Sequence, residues 1–251
     1  MFNNLKVSFV GHSTVLVEEK ITYLTDPHLT NYAFFIKRSR QPGIPFEKLP
    51  KIDVIPISHV HYDHLNFPSL KLLSNANPHT LILAPVGTGK FLKREGLLNY
   101  VELDYGEKYT VEGVEFELTK ARHVAYRLPA IFPTKCAGYM IRGEKNVYFT
   151  GDTAYWDYFK KELSKDRIDL ALIQIGCYKP YFLNWFIHMN PKHGLKCYED
   201  LRALNMIPIH WGTFRLALDT IDEPKEELLK LLKEKEYSGI KILENGGSVK
   251  Y

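Results

Sequence analysis

Six residues, His59-Val60-His61-Tyr62-Asp63-His64, constrain this chain more than any other stretch. They hold three imidazoles and one carboxylate, and they follow an apolar run, Val54 to Ile57, that reads as a strand. Imidazole and carboxylate are the side chains that bind zinc, iron or manganese. His59 and His61 stand two apart, so in an extended segment they point to the same side. Asp63 and His64 follow as the chain turns and can face a second position. One turn can therefore feed two neighbouring cations. Two four-coordinate cations need more protein groups than that turn supplies, so the fold has to bring others to it.

Three later residues stand in the right places. His123 follows a strand over Val114 to Leu118, Asp152 follows one over Val147 to Thr150, and His210 follows one over Met206 to Ile209. Taken singly, each reads as a satisfied core histidine or a turn aspartate. Together they are polar residues at strand ends, where α/β folds gather their sites.

The remaining pattern supports a layered α/β chain. Short β-rich runs open the sequence at Val7 to Val10, Thr14 to Val17 and Ile21 to Leu24, and recur at Leu81 to Leu83, Tyr100 to Leu103, Tyr139 to Ile141 and Leu170 to Ile175. Helices are expected over Phe67 to Leu73, Lys90 to Glu95 and Ala154 to Leu163. Asn190-Pro191 caps another running to about Leu204, and Asp222 caps a last one that puts Leu228, Leu231 and Leu232 on one face. Both halves run strands first and helices after, which suggests two similar halves packed in layers. No linker or low-complexity stretch divides them, so residues 1–251 are expected to form a single domain. Apolar types at 45% give ample core, and a net charge of +4 is too weak a field to argue for nucleic acid. Three cysteines, Cys136, Cys177 and Cys197, without Cys-x-x-Cys spacing suggest a reducing compartment. Met1 to Lys6 lacks the features of a signal peptide, and the longest uncharged run, Leu72 to Gly89, is broken by two prolines and two glycines. The expectation is a cytoplasmic protein without a transmembrane segment.

The pattern His-x-His-x-Asp-His with a later His, Asp and His resembles the metallo-β-lactamase fold superfamily over nearly the whole chain. That resemblance implies a four-layer αβ/βα sandwich with a dinuclear metal site at one edge. It implies that His59, His61 and His123 hold one cation, that Asp63, His64 and His210 hold the other, and that Asp152 bridges them. Zinc is the expected metal, with manganese and iron(II) as alternatives. Tyr62 carries no ligand role. Further segments narrow the branch: Gly11-His12-Ser13-Thr14, Leu24-Thr25-Asp26-Pro27, Gly151 to Tyr155, Ile175 to Pro180, His188-Met189-Asn190-Pro191 and Ile209 to Phe214. They resemble N-acyl-phosphatidylethanolamine-hydrolysing phospholipase D and, more loosely, ascorbate-6-phosphate lactonase-like proteins. Two features depart from the branch. Val124 to Arg127 follows His123 where an aromatic residue and then a serine are usual, and ten residues precede Gly11 where the eukaryotic phospholipases carry a long extension.

The implied chemistry is hydrolysis. Two cations roughly 3.5–4 Å apart share a water and lower its pKa towards neutrality, so a bridging hydroxide is the expected nucleophile. The expected substrate is a small anionic or lipid-like phosphodiester; a lactone or other carbonyl ester, or redox chemistry at two irons, are the competing readings. Asp63 is the candidate for orienting the hydroxide. His188 is the candidate for binding phosphate or protonating the leaving group. Asp26, His12, Tyr178 and Arg122 are candidates for supporting the ligands or contacting substrate, and Arg127 reads either as a partner for a substrate anion or as a solvated surface group. The aromatic clusters Tyr32 to Ile36 and Tyr181 to Ile187 read either as interface or as an apolar, basic-rimmed mouth beside the cations. Peripheral membrane contact and self-association are both compatible with them.

Overall fold

Strands with apolar residues on both faces set the architecture, because such strands must be covered on both sides. The computed structural model describes residues 5–128, 133–235 and 237–251; residues 1–4 of the opening stretch read for a signal peptide lie outside it. The first sheet contains β1 (Lys6–Gly11), β2 (Thr14–Glu18), β3 (Thr22–Leu24), β6 (Val54–Pro56), β7 (Leu81–Pro85), β8 (Tyr100–Leu103) and β15 (Ser248–Lys250). Their order is β15-β1-β2-β3-β6-β7-β8, an antiparallel meander that continues into parallel strands from β3 onward. A two-stranded hairpin of β4 (Tyr32–Ala33) and β5 (Ile36–Lys37) stands apart from it.

The second sheet runs β14-β13-β12-β11-β10-β9, from β9 (Lys108–Val111), β10 (Val114–Lys120), β11 (Ala137–Arg142), β12 (Asn146–Phe149), β13 (Leu170–Gln174) and β14 (Asn205–Ile209). Neighbours from β9 to β12 are antiparallel, and β13 and β14 continue parallel to β12.

Alternation along the strands joins the two sheets. Val7 and Phe9, Val15 and Val17, and Tyr23 share a buried cluster with Phe116, Leu118, Tyr139 and Ile141. Tyr23 meets Phe116 edge-on at 5.7 Å. The intervening residues of the first sheet, Val10, Leu16, Leu24, Ile55 and Ile57, pack instead on Leu70 and Leu73 of α1 (Phe67–Ala76) and Phe91 and Leu92 of α2 (Gly89–Arg94). Beyond the second sheet lie α3 (Tyr158–Lys161), α4 (Tyr181–Asn184), α5 (Pro191–Leu201) and α6 (Glu223–Glu234), with α5 against β13 and α6 against α5. The result is helix, sheet, sheet, helix: the expected four-layer sandwich.

The departures from expectation have local causes. The helix expected from Ala154 begins only at Tyr158, because Ala154 N–H donates to Arg122 O (2.9 Å) and Thr153 Oγ1 accepts from Arg122 N–H (2.9 Å). That backbone is committed to the loop carrying His123. The helix expected to reach Leu204 stops at Leu201, with Arg202 left-handed at φ 53°. Asn190 caps it as expected, accepting from His193 N–H at 2.8 Å. Strands β9 and β15 are not foreseen, being polar and largely exposed.

Two buried tyrosines test this packing. The Tyr139 hydroxyl crosses between the sheets to donate to Ile57 O at 3.0 Å, while the Tyr23 hydroxyl, equally buried, finds no partner among the described residues. Tyr139→Phe is expected to cost about 1–3 kcal/mol by stranding a buried carbonyl, whereas Tyr23→Phe is expected to be neutral or stabilising. Urea unfolding midpoints of the two variants check the contrast.

Candidate metal centre

The candidate ligands all leave strand ends at one edge of the sandwich. His12 sits in the β1–β2 turn, Asp26 follows β3, and His59 to His64 follow β6. From the other sheet, His123 follows β10, Asp152 follows β12 and His210 follows β14, with His188 just before α5. The backbone is bent hard to achieve this. His12, Asp26 and His210 adopt φ of 59°, 35° and 61°, values that non-glycine residues rarely take. His210 N–H donates to His12 O at 2.8 Å, tying one sheet's turn to the other's strand end. At Gly151 a Cβ would lie 2.5 Å from Ala137 O and 2.7 Å from Ser58 Cβ, so only glycine lets Asp152 approach the histidine turn.

The seven expected ligands come together in two groups. His59 Nε2 lies 2.9 Å and His123 Nε2 3.2 Å from His61 Nδ1. Asp63 Oδ2 lies 3.2 Å from His64 Nε2 and 3.4 Å from His210 Nε2. Asp152 Oδ2 stands between the groups, 3.2 Å from both His64 Nε2 and His210 Nε2 and 3.9 Å from His59 Nε2. Each group has its ligand atoms within 4.8 Å of one another. His12 joins the second group, its Nε2 donating to Asp63 Oδ2 at 2.8 Å. Sequence reasoning placed His12 only as a support, and its position in a Gly-His turn gives no stronger signal.

Outer hydrogen bonds turn the rings inward. His64 Nδ1 donates to Asp26 Oδ2 (2.6 Å), His59 Nδ1 lies 2.9 Å from Ser58 Oγ, and His123 Nδ1 donates to Ile187 O (2.9 Å). Each bond leaves Nε2 facing the centre, as metal-binding imidazoles require. Asp26 also accepts from Ser58 N–H (2.7 Å) and Ser58 Oγ (2.5 Å), so its carboxylate ties the start of the turn to the His64 ring. Ser58 itself was not foreseen.

The electrostatics divide the site. Burial, reinforced by neighbouring imidazoles, holds His59 and His61 below the usual histidine range and takes His123 down to about 4. These rings are neutral, the form in which imidazole donates a lone pair. Burial acts the same way on His64 and His210, but the carboxylates of Asp152 and Asp63 outweigh it, raising His64 and bringing His210 up to about 9. Two buried carboxylates thus demand positive charge at that spot. His64 Nε2, His210 Nε2 and Asp152 Oδ1 are buried with no hydrogen-bond partner among the described residues. Nitrogen and carboxylate donors left open around two acids fit a pair of divalent cations.

His188 is buried against this cluster, within ligand spacing of His123 and Asp152, with Nδ1 3.8 Å from Asp152 Oδ2, the ring 4.9 Å from His123, and no hydrogen-bond partner for Nδ1 among the described residues. One candidate falls elsewhere. The Tyr178 hydroxyl donates to Glu227 Oε2 (2.5 Å), and the residue lines a cavity with Asn190 and Glu223 that contains none of the ligands. The sequence motif that singled it out marks a helix-packing contact. Arg122, next to His123 in sequence, lies over the Trp185 ring at 5.4 Å, on the aromatic segment beside the ligands. Arg127 is buried, against the reading of a solvated group. Both aromatic clusters adjoin the ligands: Phe34 stacks on Tyr62 at 4.6 Å, and Ile187 O holds His123. Phe35 and Phe182 are 76% and 75% exposed.

Known proteins agree with this picture. The family described as the beta-lactamase superfamily domain matches residues 22–211. The chain is 32% identical over 257 residues to N-acyl-phosphatidylethanolamine-hydrolyzing phospholipase D 1 of Caenorhabditis elegans, covering 93% of this chain and 71% of that one. It is 32% identical over 234 residues to the mitochondrial enzyme of the same name from Saccharomyces cerevisiae, covering 87% of this chain but only 49% of the relative. The structure of Igni18, a metallo hydrolase from the archaeon Ignicoccus hospitalis, matches with a TM-score of 0.75 at 21% identity, covering 99% of this chain and 98% of that one.

Asp26 offers the sharpest test of the outer hydrogen bonds. Asp26→Ala is expected to lower affinity for divalent cations about 10–100-fold, read by competition with a chromophoric chelator.

Proposed function

The chain belongs to the beta-lactamase superfamily and is a metal-dependent hydrolase, and from that premise we propose that it hydrolyses a phosphodiester, lipid-like in character, at a dinuclear centre. The observation that carries the reading is Asp152 Oδ2 standing within 3.2–3.9 Å of imidazole nitrogens from both groups. His59, His61 and His123 would hold one cation and Asp63, His64 and His210 the other, with Asp152 shared and zinc the metal that suits the nitrogen-rich set. The two cations, when bound, supply Lewis acidity to a phosphoryl oxygen and lower the pKa of a shared water.

The chain's own residues do the rest. Asp63, fixed by the bond from His12 (2.8 Å), accepts a hydrogen bond from the attacking water and aims it. His188, buried against the cluster with an open Nδ1, binds a phosphoryl oxygen or hands a proton to the leaving oxygen. The exposed aromatics around Phe34 and Phe182 suit an acyl or other apolar substituent, and the 32% identity to a lipid-cleaving relative supports that choice. We read the 251 residues as one catalytic unit. No helix among the described residues is long and apolar enough to cross a membrane. The three unpaired cysteines favour a reducing, cytoplasmic setting.

Purified protein is expected to contain two divalent cations and to cleave bis-p-nitrophenyl phosphate in preference to a panel of lactones. A reversed preference would overturn the phosphodiester reading in favour of carbonyl hydrolysis. Asp152→Ala is expected to lose both the cations and the activity. His188→Gln is expected to keep the cations while kcat falls about 100-fold. Full activity in either variant contradicts the assigned roles.

A further inference from the structure

Arg127 has no part in the reading above, yet its surroundings are unusual for a buried cation. The residue is 7% exposed, and no carboxylate forms an ion pair with it among the described residues. Its hydrogen bonds go to two backbone carbonyls instead: Nη1 donates to Val60 O at 3.0 Å and to Leu65 O at 2.9 Å. The rings of Tyr62 and Phe67 lie against the guanidinium, 4.2 and 4.3 Å from its central carbon. A charged group taken from water without a counter-ion is costly, and carbonyl oxygens with aromatic faces offset that cost only in part.

The two carbonyls have a particular relation to the site. Val60 and Leu65 bracket the turn, so that His61, Asp63 and His64 all lie between them. The turn's own backbone bonds converge on one acceptor, His61 O, from His64 N–H (3.1 Å) and Leu65 N–H (2.8 Å). A single nitrogen of Arg127 therefore joins the entry of the turn to its exit. Arg127 also stands four residues beyond His123, so one loop both delivers a ligand to the first group and closes the turn that feeds both groups.

A positive charge beside a cation site cannot assist cation binding by attraction, so the service of this side chain has to be geometric. Its contact with Tyr62, which in turn stacks on Phe34, extends the same brace to the aromatic mouth. We propose that Arg127 is a positioning residue that clamps both ends of the ligand turn and so holds His61, Asp63 and His64 at cation-binding spacing. The role rests on the dinuclear reading above.

Chelator competition on the purified full chain tests it, with zinc as the probe and Arg127→Met and Arg127→Lys as variants. Methionine keeps apolar bulk between the rings but donates nothing; lysine keeps the charge and can reach a carbonyl, but lacks the planar group. Arg127→Met is expected to bind at least one zinc about tenfold or more weakly, with Arg127→Lys recovering part of the loss. Cobalt substitution gives a second readout, since a displaced turn shifts the visible absorption of the bound ion. If Arg127→Met does not fold, the lysine variant carries the comparison, with about threefold weaker binding expected. Wild-type affinity and an unshifted cobalt spectrum in a folded variant overturn the clamp alone. Failure of the wild-type protein to take up zinc overturns the dinuclear reading and the clamp with it.

Discussion

Asp63 and Asp152 are buried carboxylates whose oxygens converge on the same pair of imidazoles, and most of what surrounds them follows from the cost of that arrangement. An ionised carboxylate removed from water needs positive charge or several donors close by. Here each acid sits among imidazole nitrogens, and the acids keep their protons off by forcing them onto His64 and His210, although burial opposes charge on both rings. Protons and divalent cations answer the same demand, so a cation bound by these rings would displace their protons. The neutral trio of His59, His61 and His123 has no such acid of its own and relies on sharing Asp152. That asymmetry leaves Asp152 as the carboxylate that lies between the two groups of side chains.

The sandwich is what lets those acids meet. Strands β1, β3 and β6 of one sheet and β10, β12 and β14 of the other lead into the same edge, each into a loop that carries a candidate ligand or its support. Left-handed φ values at His12, Asp26 and His210 cluster there and not along the strands themselves. Such conformations cost energy and persist where the surroundings fix them. The fixing groups are visible: His12 O accepts from His210 N–H, and Asp26 takes three hydrogen bonds from Ser58 and His64. Two apolar sheets therefore supply the rigidity that a strained rim needs.

How much of this could be read from residues alone depended on whether a residue's chemistry or its neighbours decide its use. His59, His61, Asp63 and His64 announce themselves because that density of ligand groups at a strand end has few other uses. His123, Asp152 and His210 were readable because each follows an apolar run that had to be a strand. His12 was legible only as a support, since a histidine between glycine and serine could serve any turn, and it is the bond from His210 N–H to His12 O that holds it beside Asp63. Arg127 failed for the opposite reason: arginines are ordinarily solvated, and nothing in Val124 to Arg127 shows that two carbonyls of a turn far away in sequence will meet it. Tyr178 misled because its motif marks a packing contact with Glu227. The late start of α3 was hidden because the competing hydrogen bonds to Arg122 are long-range.

The mouth and the centre share their parts. Tyr62 lies inside the ligand turn and carries Phe34 on its ring, Arg122 adjoins His123 and carries Trp185, and Ile187 O holds the His123 ring. Among the described residues, Phe34 and Trp185 are thereby attached to residues that directly follow or precede a candidate ligand. A substrate that orders those aromatics on binding must also bear on the ligand loops, because packed side chains transmit small shifts without absorbing them. Binding energy from an apolar substituent remote from the reacting bond can then be spent on alignment at the reacting bond itself, so a truncated substrate should lose turnover as well as affinity. On the proposed lipid-like phosphodiester reading, the aromatic rim would belong to the reacting centre as much as to recognition.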